Sequence, residues 1–318
     1  MVVSMTHPHD PYSIPQRYWD RYADVAIDAP RVPAAAVPLD PHSRRLRHVC
    51  GLDLLPVDAR QTQAARRAYY AAISYVDDQV GTLLGALAEV RLAEDTIVLL
   101  LADHGDMQGE RGLWYKMNFF EPACRIPLIV HAPGRFAARR VPESASLVDV
   151  LPTLCELAGI GAGEYATPLD GASLVPQLRG APGGDTVIGE YCAEGAIAPL
   201  VMIKRGPWKF VHTPVDPDQL YDLRDDPDEL RNLAALPAQT ERLAAFRAEA
   251  AARWDLPALH AAVLASQRRR HLVYAALRTG RYTPWDFQPR RDASRAYVRN
   301  DQDLGALEAM ARFPPFAG

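Results

Sequence analysis

Ile97-Val98-Leu99-Leu100-Leu101-Ala102-Asp103-His104-Gly105-Asp106 is the stretch that decides how this chain is read. The run Ile97 to Leu101 has no polar residue to mark a solvent face. It predicts a strand buried on both faces, the habit of a parallel sheet. Gly105 permits a sharp turn where the strand ends. Open α/β sheets place their ligands at the carboxyl ends of strands, and there a carboxylate and an imidazole stand side by side. Asp103 and His104 are donors that suit a divalent cation. The letters Asp-His-Gly alone are more often those of an ordinary turn, so the surrounding sequence has to decide.

Upstream, Tyr69, Ala72, Ile73, Val76, Val80, Leu83, Leu84 and Leu87 repeat at helical spacing and predict a long amphipathic helix over 62–90. Gly81 and Gly85 within it cost about 1 kcal/mol each relative to alanine, and are expected to permit close packing on a sheet. Helix followed by buried strand is half of a βαβ unit, so the expected class is α/β, part of a doubly wound sheet. Downstream, Ile126-Pro127-Leu128-Ile129-Val130 reads as a second buried strand. Ser146 to Leu154 opens a helix that tolerates Pro152 only in its first turn.

The Gly- and Pro-rich stretch 161–186 is the best internal boundary. Past it, 187–191, 200–204 and 208–212 are short strand-like runs that predict a small antiparallel sheet. Residues 237–280 carry two helical stretches. The tail 281–318 holds Trp285, Phe287, Tyr297, Phe313 and Phe316; so much apolar surface predicts packing onto this protomer or a neighbour, hence a homo-oligomer formed through the tail. Three segments are therefore expected: 1–180, 181–280 and 281–318. Residues 13–60, rich in Pro, Arg and Asp, predict loops with short helices.

Of 318 residues 48% are hydrophobic and 23% charged, with a net charge of -4. That balance argues against nucleic acid or an anionic membrane surface as partner. Cys50, Cys124, Cys155 and Cys192 fit neither CxxC spacing nor a disulfide framework; reduced thiols in a cytoplasmic compartment are expected. No apolar stretch reaches the roughly 18 residues of a membrane span, and the first residues lack the basic region of a signal peptide. Val2-Val3 resembles the end of a buried strand and leads at once into a loop dense in chemistry, Thr6-His7-Pro8-His9-Asp10-Pro11-Tyr12. A sheet protein that begins so abruptly is expected to be the C-terminal part of something longer.

Five separated segments, in order, resemble the sulfatases of the alkaline-phosphatase-like superfamily. Leu101 to Asp106 resembles that family's second metal-ligand segment, and Lys116 in Leu113-Trp114-Tyr115-Lys116 its sulfate-contacting lysine. His7 to Tyr12 resembles its His-loop. Leu147-Val148-Asp149-Val150-Leu151-Pro152-Thr153-Leu154 resembles a structural signature of the family. So does Gln219-Leu220-Tyr221-Asp222-Leu223, followed by Asp226 to Glu229 and Asn232-Leu233-Ala234. Gly189-Glu190-Tyr191, Glu194-Gly195-Ala196, Asp216 to Tyr221 and the tail from Arg299 to Pro314 resemble the choline-sulfatase subfamily in particular.

The resemblance implies a sulfuric ester hydrolase that splits a small-molecule sulfate ester, choline O-sulfate, into choline and sulfate. It implies Asp103 and His104 as metal ligands, with calcium favoured; a carboxylate-plus-imidazole set suits manganese or zinc as well. Lys116 would hold a sulfate oxygen as a point charge. His9 would contact the sulfate or protonate the leaving alcohol, a role for imidazole; His7 would brace the loop, and Asp10 would either orient His9 or cap the turn. For a quaternary ammonium, carboxylates and aromatic faces are the recognition chemistry, and Glu190, Glu194 and Asp303 are the candidates. One departure stands out. The family's nucleophile is a formylglycine made from a Cys-x-Pro-x-Arg motif, and none of the four cysteines begins that motif. The expectation is thus a truncated chain, inactive alone; a phosphonate or phosphodiester hydrolase of the same superfamily and a non-catalytic fragment or pseudoenzyme are the alternatives.

Overall fold

The computed structural model describes residues 1–280. They form two compact units: Met1–Ala29 with Pro56–Leu83 and the described residues from Ala261 onward, and Pro30–Leu55 with Leu84–His260.

In the first unit the short helix α1 (Gln16–Asp20) and the loop before it pack on the N-terminal stretch of α3 (Ala59–Glu89). The two are joined by rings. Tyr18, 1% exposed, meets Tyr75 edge-on at 5.4 Å between centroids, and Tyr22 stacks on Tyr70 at 5.9 Å. Aromatic pairs of this kind add about 0.5–1.5 kcal/mol each beyond the area they bury. Arg67 spreads its guanidinium 4.1 Å above the Trp19 ring and donates from Nη2 to the Trp19 carbonyl at 2.8 Å. Small residues, Ala68, Ala71 and Ala72, let α3 approach closely on that face.

The second unit is built on a four-stranded antiparallel sheet in sequential order: β3 (Thr186–Tyr191), β4 (Leu200–Arg205), β5 (Trp208–His212) and β6 (Gln219–Asp222). The first three are the strands expected from the sequence. Helix α7 (Thr240–Arg253) lies on one face, where Val201, Ile203, Phe210 and Leu220 meet Leu243, Phe246 and Ala250. Phe210 and Phe246 stack at 5.4 Å; full burial of such a side chain contributes about 1.5–3 kcal/mol. A second buried cluster, Met107, Leu113, Phe120, Ala123 and Tyr221, joins β6 to the loops that follow β1 (Val98–Leu101). Helix α2 (Pro41–Val49) starts on an N-cap, Asp40, whose carboxylate accepts from the Ser43 amide at 3.0 Å, with Pro41 just inside. The remaining helices are α4 (Glu121–Cys124), α5 (Val150–Leu157), α6 (Val175–Leu178) and α8 (Leu256–Arg278). Pro152 does fall in the first turn of α5.

Two expectations are corrected. Strand β1 pairs antiparallel, not parallel, with β2 (Leu128–His131), and among the described residues these two make a sheet of their own. All four residues of β1 are only half-buried, and Ile129 of β2 is 54% exposed. A pair with one hydrogen-bonded neighbour has an open edge and cannot bury both faces. The second correction concerns Gly81 and Gly85. A Cβ on either would meet nothing within 4 Å among the described residues, so neither buys a close helix–sheet approach there.

The two segments that resembled structural signatures act as such. Asp149 closes a capping box with Ser146, and its other oxygen accepts from the Ala172 amide at 2.9 Å. Asp226 accepts from the Leu230 and Arg231 amides, while the Asn232 side chain bridges Leu220 and Asp218.

Candidate metal and anion site

The loop after β1 folds back on itself and carries the candidate ligands. Asp106 organises it: Oδ1 accepts from the amides of Gln108 at 2.9 Å and Tyr115 at 3.2 Å. The Met107 amide donates to the Tyr115 carbonyl and Gly109 to the Leu113 carbonyl, at 2.7 and 2.9 Å. The reversal between them needs left-handed backbone, supplied by Gly109 at φ 87° and Gly112 at φ 67°. Met107 and Leu113 are thereby driven into the core, 0% and 1% exposed. Lys116 follows directly and is half-buried. Its segment is fixed by His42 of α2, whose Nε2 donates to the Met117 carbonyl at 2.7 Å.

Asp103 and His104 are brought together. The Asp103 Oδ1 accepts from the His104 amide at 3.0 Å, and Oδ2 lies 3.6 Å from His104 Nε2. His104 Nδ1 is 2.8 Å from the Gly105 carbonyl. A carbonyl only accepts, so Nδ1 carries a proton. A metal-bound His is held by just such a bond from its other nitrogen, which would leave Nε2 and the Asp103 carboxylate as the two donors to a cation. The donor set therefore fits a divalent cation. The Asp103 side chain is 84% exposed, and among the described residues no third His, Cys, Asp or Glu completes a metal-holding group with them.

Gly105 is required by packing. A Cβ there would stand 2.1 Å from the Pro122 carbonyl oxygen in α4, and the Gly105 amide donates to the Ala123 carbonyl at 2.7 Å. The ligand turn thus sits directly on α4.

His9 belongs to the first unit. Its Nδ1 lies 2.5 Å from the Asp10 carbonyl and 3.3 Å from the Asp10 carboxylate. His7 packs its ring on Tyr75 at 5.2 Å, and burial lowers its pKa against the opposing hydrogen bond with the Ser13 backbone. Of the acids considered for an ammonium, Glu190 at the end of β3 accepts from the Trp254 indole Nε1 at 2.6 Å. Glu194 accepts from the Tyr191 hydroxyl at 3.1 Å; burial first, and the Glu194 charge second, push that phenol up. Its loop is tied to α2 by Arg45, which donates to the Gly195 carbonyl at 2.8 Å and pairs with Asp216. Asp303 and the rest of the tail lie outside the described residues.

Sequence reasoning passed over the groups that hold this site in place. His42, 3% exposed, left no mark in the sequence. Lys209 did leave one, a lysine set in the apolar strand Trp208-Lys209-Phe210-Val211. It is 1% exposed and pairs with Glu229 and Glu121.

Comparison with known proteins agrees with the motif reading. A family model described as Sulfatase matches residues 1–160, one for the C-terminal region of N-sulphoglucosamine sulphohydrolase matches 109–252, and one for the C-terminal region of choline sulfatase enzymes matches 261–313. Choline-sulfatase of Rhizobium meliloti is 46% identical over 320 residues, covering 99% of this chain and 62% of that protein. Arylsulfatase K of Rattus norvegicus is 32% identical over 224 residues, 65% of this chain and 38% of that one. The chain thus spans less than two thirds of the length of these relatives. Among solved structures, the phosphonate monoester hydrolase of Agrobacterium radiobacter has a TM-score of 0.64 at 26% identity, over 80% of this chain and 55% of its own. A putative sulfatase from Bacteroides fragilis, at 24% identity, shares the fold with a TM-score of 0.63 over 78% of this chain and 51% of its own. The alkaline-phosphatase-like α/β class expected from the sequence is borne out by these neighbours. No helix among the described residues is long and apolar enough to cross a membrane. With a sulfatase model matched over half its length, the chain belongs to the sulfatase family.

Proposed function

We propose that this chain provides the metal-ligand and sulfate-holding part of a sulfuric ester hydrolase of the choline-sulfatase type, acting on choline O-sulfate. The observation that carries the reading is the Asp103–His104 pair, with Oδ2 and Nε2 3.6 Å apart on the loop that leads to Lys116. The 46% identity to choline-sulfatase along 99% of the chain supports the substrate.

A sulfate ester resists attack because its oxygens repel a nucleophile. A divalent cation held by Asp103 and His104 supplies positive charge against those oxygens; calcium is favoured, with manganese and zinc as the other ions of matching chemistry. Lys116 holds a sulfate oxygen as a fixed charge. In this reading His9 is the proton donor to the departing alcohol, with the Asp10 carboxylate 3.3 Å away to orient it. Glu190 beside the Trp254 indole, and Glu194 beside Tyr191, combine carboxylate and aromatic face, the pairing that binds a quaternary ammonium; Asp303 joins them in this reading. The formylglycine motif is not among the 318 residues, so the chain alone releases little or no sulfate. The division into 1–180, 181–280 and 281–318, the oligomer formed through the tail and a cytoplasmic setting are part of the proposal.

Calorimetric titration tests it. The chain should bind Ca2+ or Mn2+, then choline O-sulfate, with Asp103→Asn losing the first and Lys116→Ala the second. Glu190→Gln should weaken choline O-sulfate more than an aryl sulfate. Equal weakening of both esters would remove the choline assignment. A second reading, hydrolysis of a phosphonate monoester, is supported by the 0.64 TM-score to the Agrobacterium radiobacter enzyme; a phosphonate monoester displacing choline O-sulfate at lower concentration would favour it.

A further inference from the structure

Strand β5 buries an ammonium that none of the proposed chemistry uses. Lys209 Nζ lies 2.8 Å from the Phe119 carbonyl, 2.8 Å from Glu229 Oε1 and 2.5 Å from Glu121 Oε1. Three N–H donors therefore meet three acceptors. Glu229, 2% exposed, turns its other oxygen to the Glu121 amide at 2.8 Å, and its backbone has a left-handed φ of 55°. Burial pushes the Glu229 carboxyl up, while its charge and that of Glu121 keep Lys209 protonated against its own burial. Such a cluster is a poor source of stability, since well-packed apolar residues in its place are often as good or better. A glutamate at positive φ within the cluster adds strain to that cost, which points to a role other than holding the fold together.

The role follows from what the cluster grips. Two of its partners, Phe119 and Glu121, open α4, and α4 is the seat of the ligand turn: Pro122 closes on Gly105 and the Ala123 carbonyl takes its amide. The same segment continues from Asn118, whose amide donates to the Lys116 carbonyl. One buried ammonium thus fixes the stretch of backbone between the anion-holding lysine and the seat of the metal ligands.

We infer that Lys209 is a positioning residue: through Glu121 and Phe119 it sets α4 under Gly105, and so holds Asp103 and His104 at the spacing a divalent cation needs. This rests on the metal reading proposed above.

The test compares wild type with Lys209→Met, and with Phe246→Leu as a core change away from α4. Mn2+ affinity is measured by calorimetry and exchange of the Gly105 amide by hydrogen–deuterium exchange. Lys209→Met should weaken Mn2+ binding roughly 10–100-fold, the usual loss when a group supporting a metal ligand is removed, and should speed exchange at Gly105. Phe246→Leu should lower the melting temperature and change neither. Should Lys209→Met fail to fold, Glu121→Gln decides by the same two readouts, with smaller shifts in the same direction. Wild-type Mn2+ affinity and wild-type Gly105 exchange in the folded variant would overturn the positioning role while leaving the metal site intact. A wild-type chain that binds no Mn2+, or an Asp103→Asn variant that binds it as well as wild type does, would overturn the metal reading and this inference together.

Discussion

Gly105→Ala puts one methyl group where the structure has no room for it. The added Cβ would stand 2.1 Å from the Pro122 carbonyl oxygen, 3.1 Å from the Pro122 carbonyl carbon and 3.3 Å from the Arg125 carbonyl oxygen. A relaxed carbon–oxygen contact is about 3.3 Å, so the first is short by about 1.2 Å. Every obstructing atom is backbone, so no side chain can rotate aside, and either the ligand turn or α4 has to move. Overpacking of this kind costs about 1–3 kcal/mol, which lowers the melting temperature by roughly 2–10 °C in a domain of this size. The larger effect falls on the ligands, since a shift of about 1 Å at a preorganised centre can cost roughly 100-fold in function. Differential scanning calorimetry and Mn2+ titration of the purified variant measure the two effects. Wild-type melting temperature together with wild-type metal affinity would refute the claim that the turn is seated rigidly on α4.

Gly81→Ala and Gly85→Ala are the opposite case. Each adds a methyl into open space on α3 and should raise stability by about 0.8–1 kcal/mol through helix propensity, read as an increase in the denaturant midpoint. Asp218 tests the pH dependence of the sheet unit. Burial works to raise its carboxyl, but the hydrogen bonds from His212 and Arg247 outweigh it and hold the pKa below the usual range. A depressed carboxylate stabilises the fold above its unfolded pKa and loses that contribution as pH falls through the folded value; Asp218→Asn should therefore lower the melting temperature at pH 6 and converge on wild type in strong acid. Burial pushes the Cys124 thiol up to about 11, so iodoacetamide at pH 8 followed by mass spectrometry should find Cys124 modified last of the four cysteines.

What the sequence revealed and what it hid divide along a physical line. A periodic apolar pattern announced α3, because an amphipathic face repeats; α7 and α8 were legible as helical stretches and β3 to β5 as short strand-like runs between turns. The turn at Asp103 to Gly105 stood out for a different reason: carboxylate, imidazole and glycine in succession are weak letters alone, and their place directly after an apolar strand gave them meaning. The pairing of β1 was misread because an apolar run records hydrophobicity and not direction; its partner lies 27 residues further on and antiparallel. Gly81 and Gly85 were misread because a glycine shows what it permits, not what stands opposite. The supports of the site were the least visible. His42 meets Met117, and Lys209 meets Glu229 and Phe119, across long loops; no local pattern reports a contact between residues that distant.

Helix α2 ties both ends of the proposed substrate site to one rod. His42 holds the carbonyl next to Lys116, and the same imidazole meets the ring of Tyr191, whose hydroxyl carries Glu194, while Arg45 three residues on secures the Gly195 carbonyl. On the proposed function, a rod that clamps the lysine for the sulfate at one point and the acid for the ammonium at another measures length. On the proposed function, an ester with one more methylene between its sulfate and its ammonium would satisfy only one terminus at a time. Discrimination by reach, rather than by the shape of either charged group, is what such a caliper imposes.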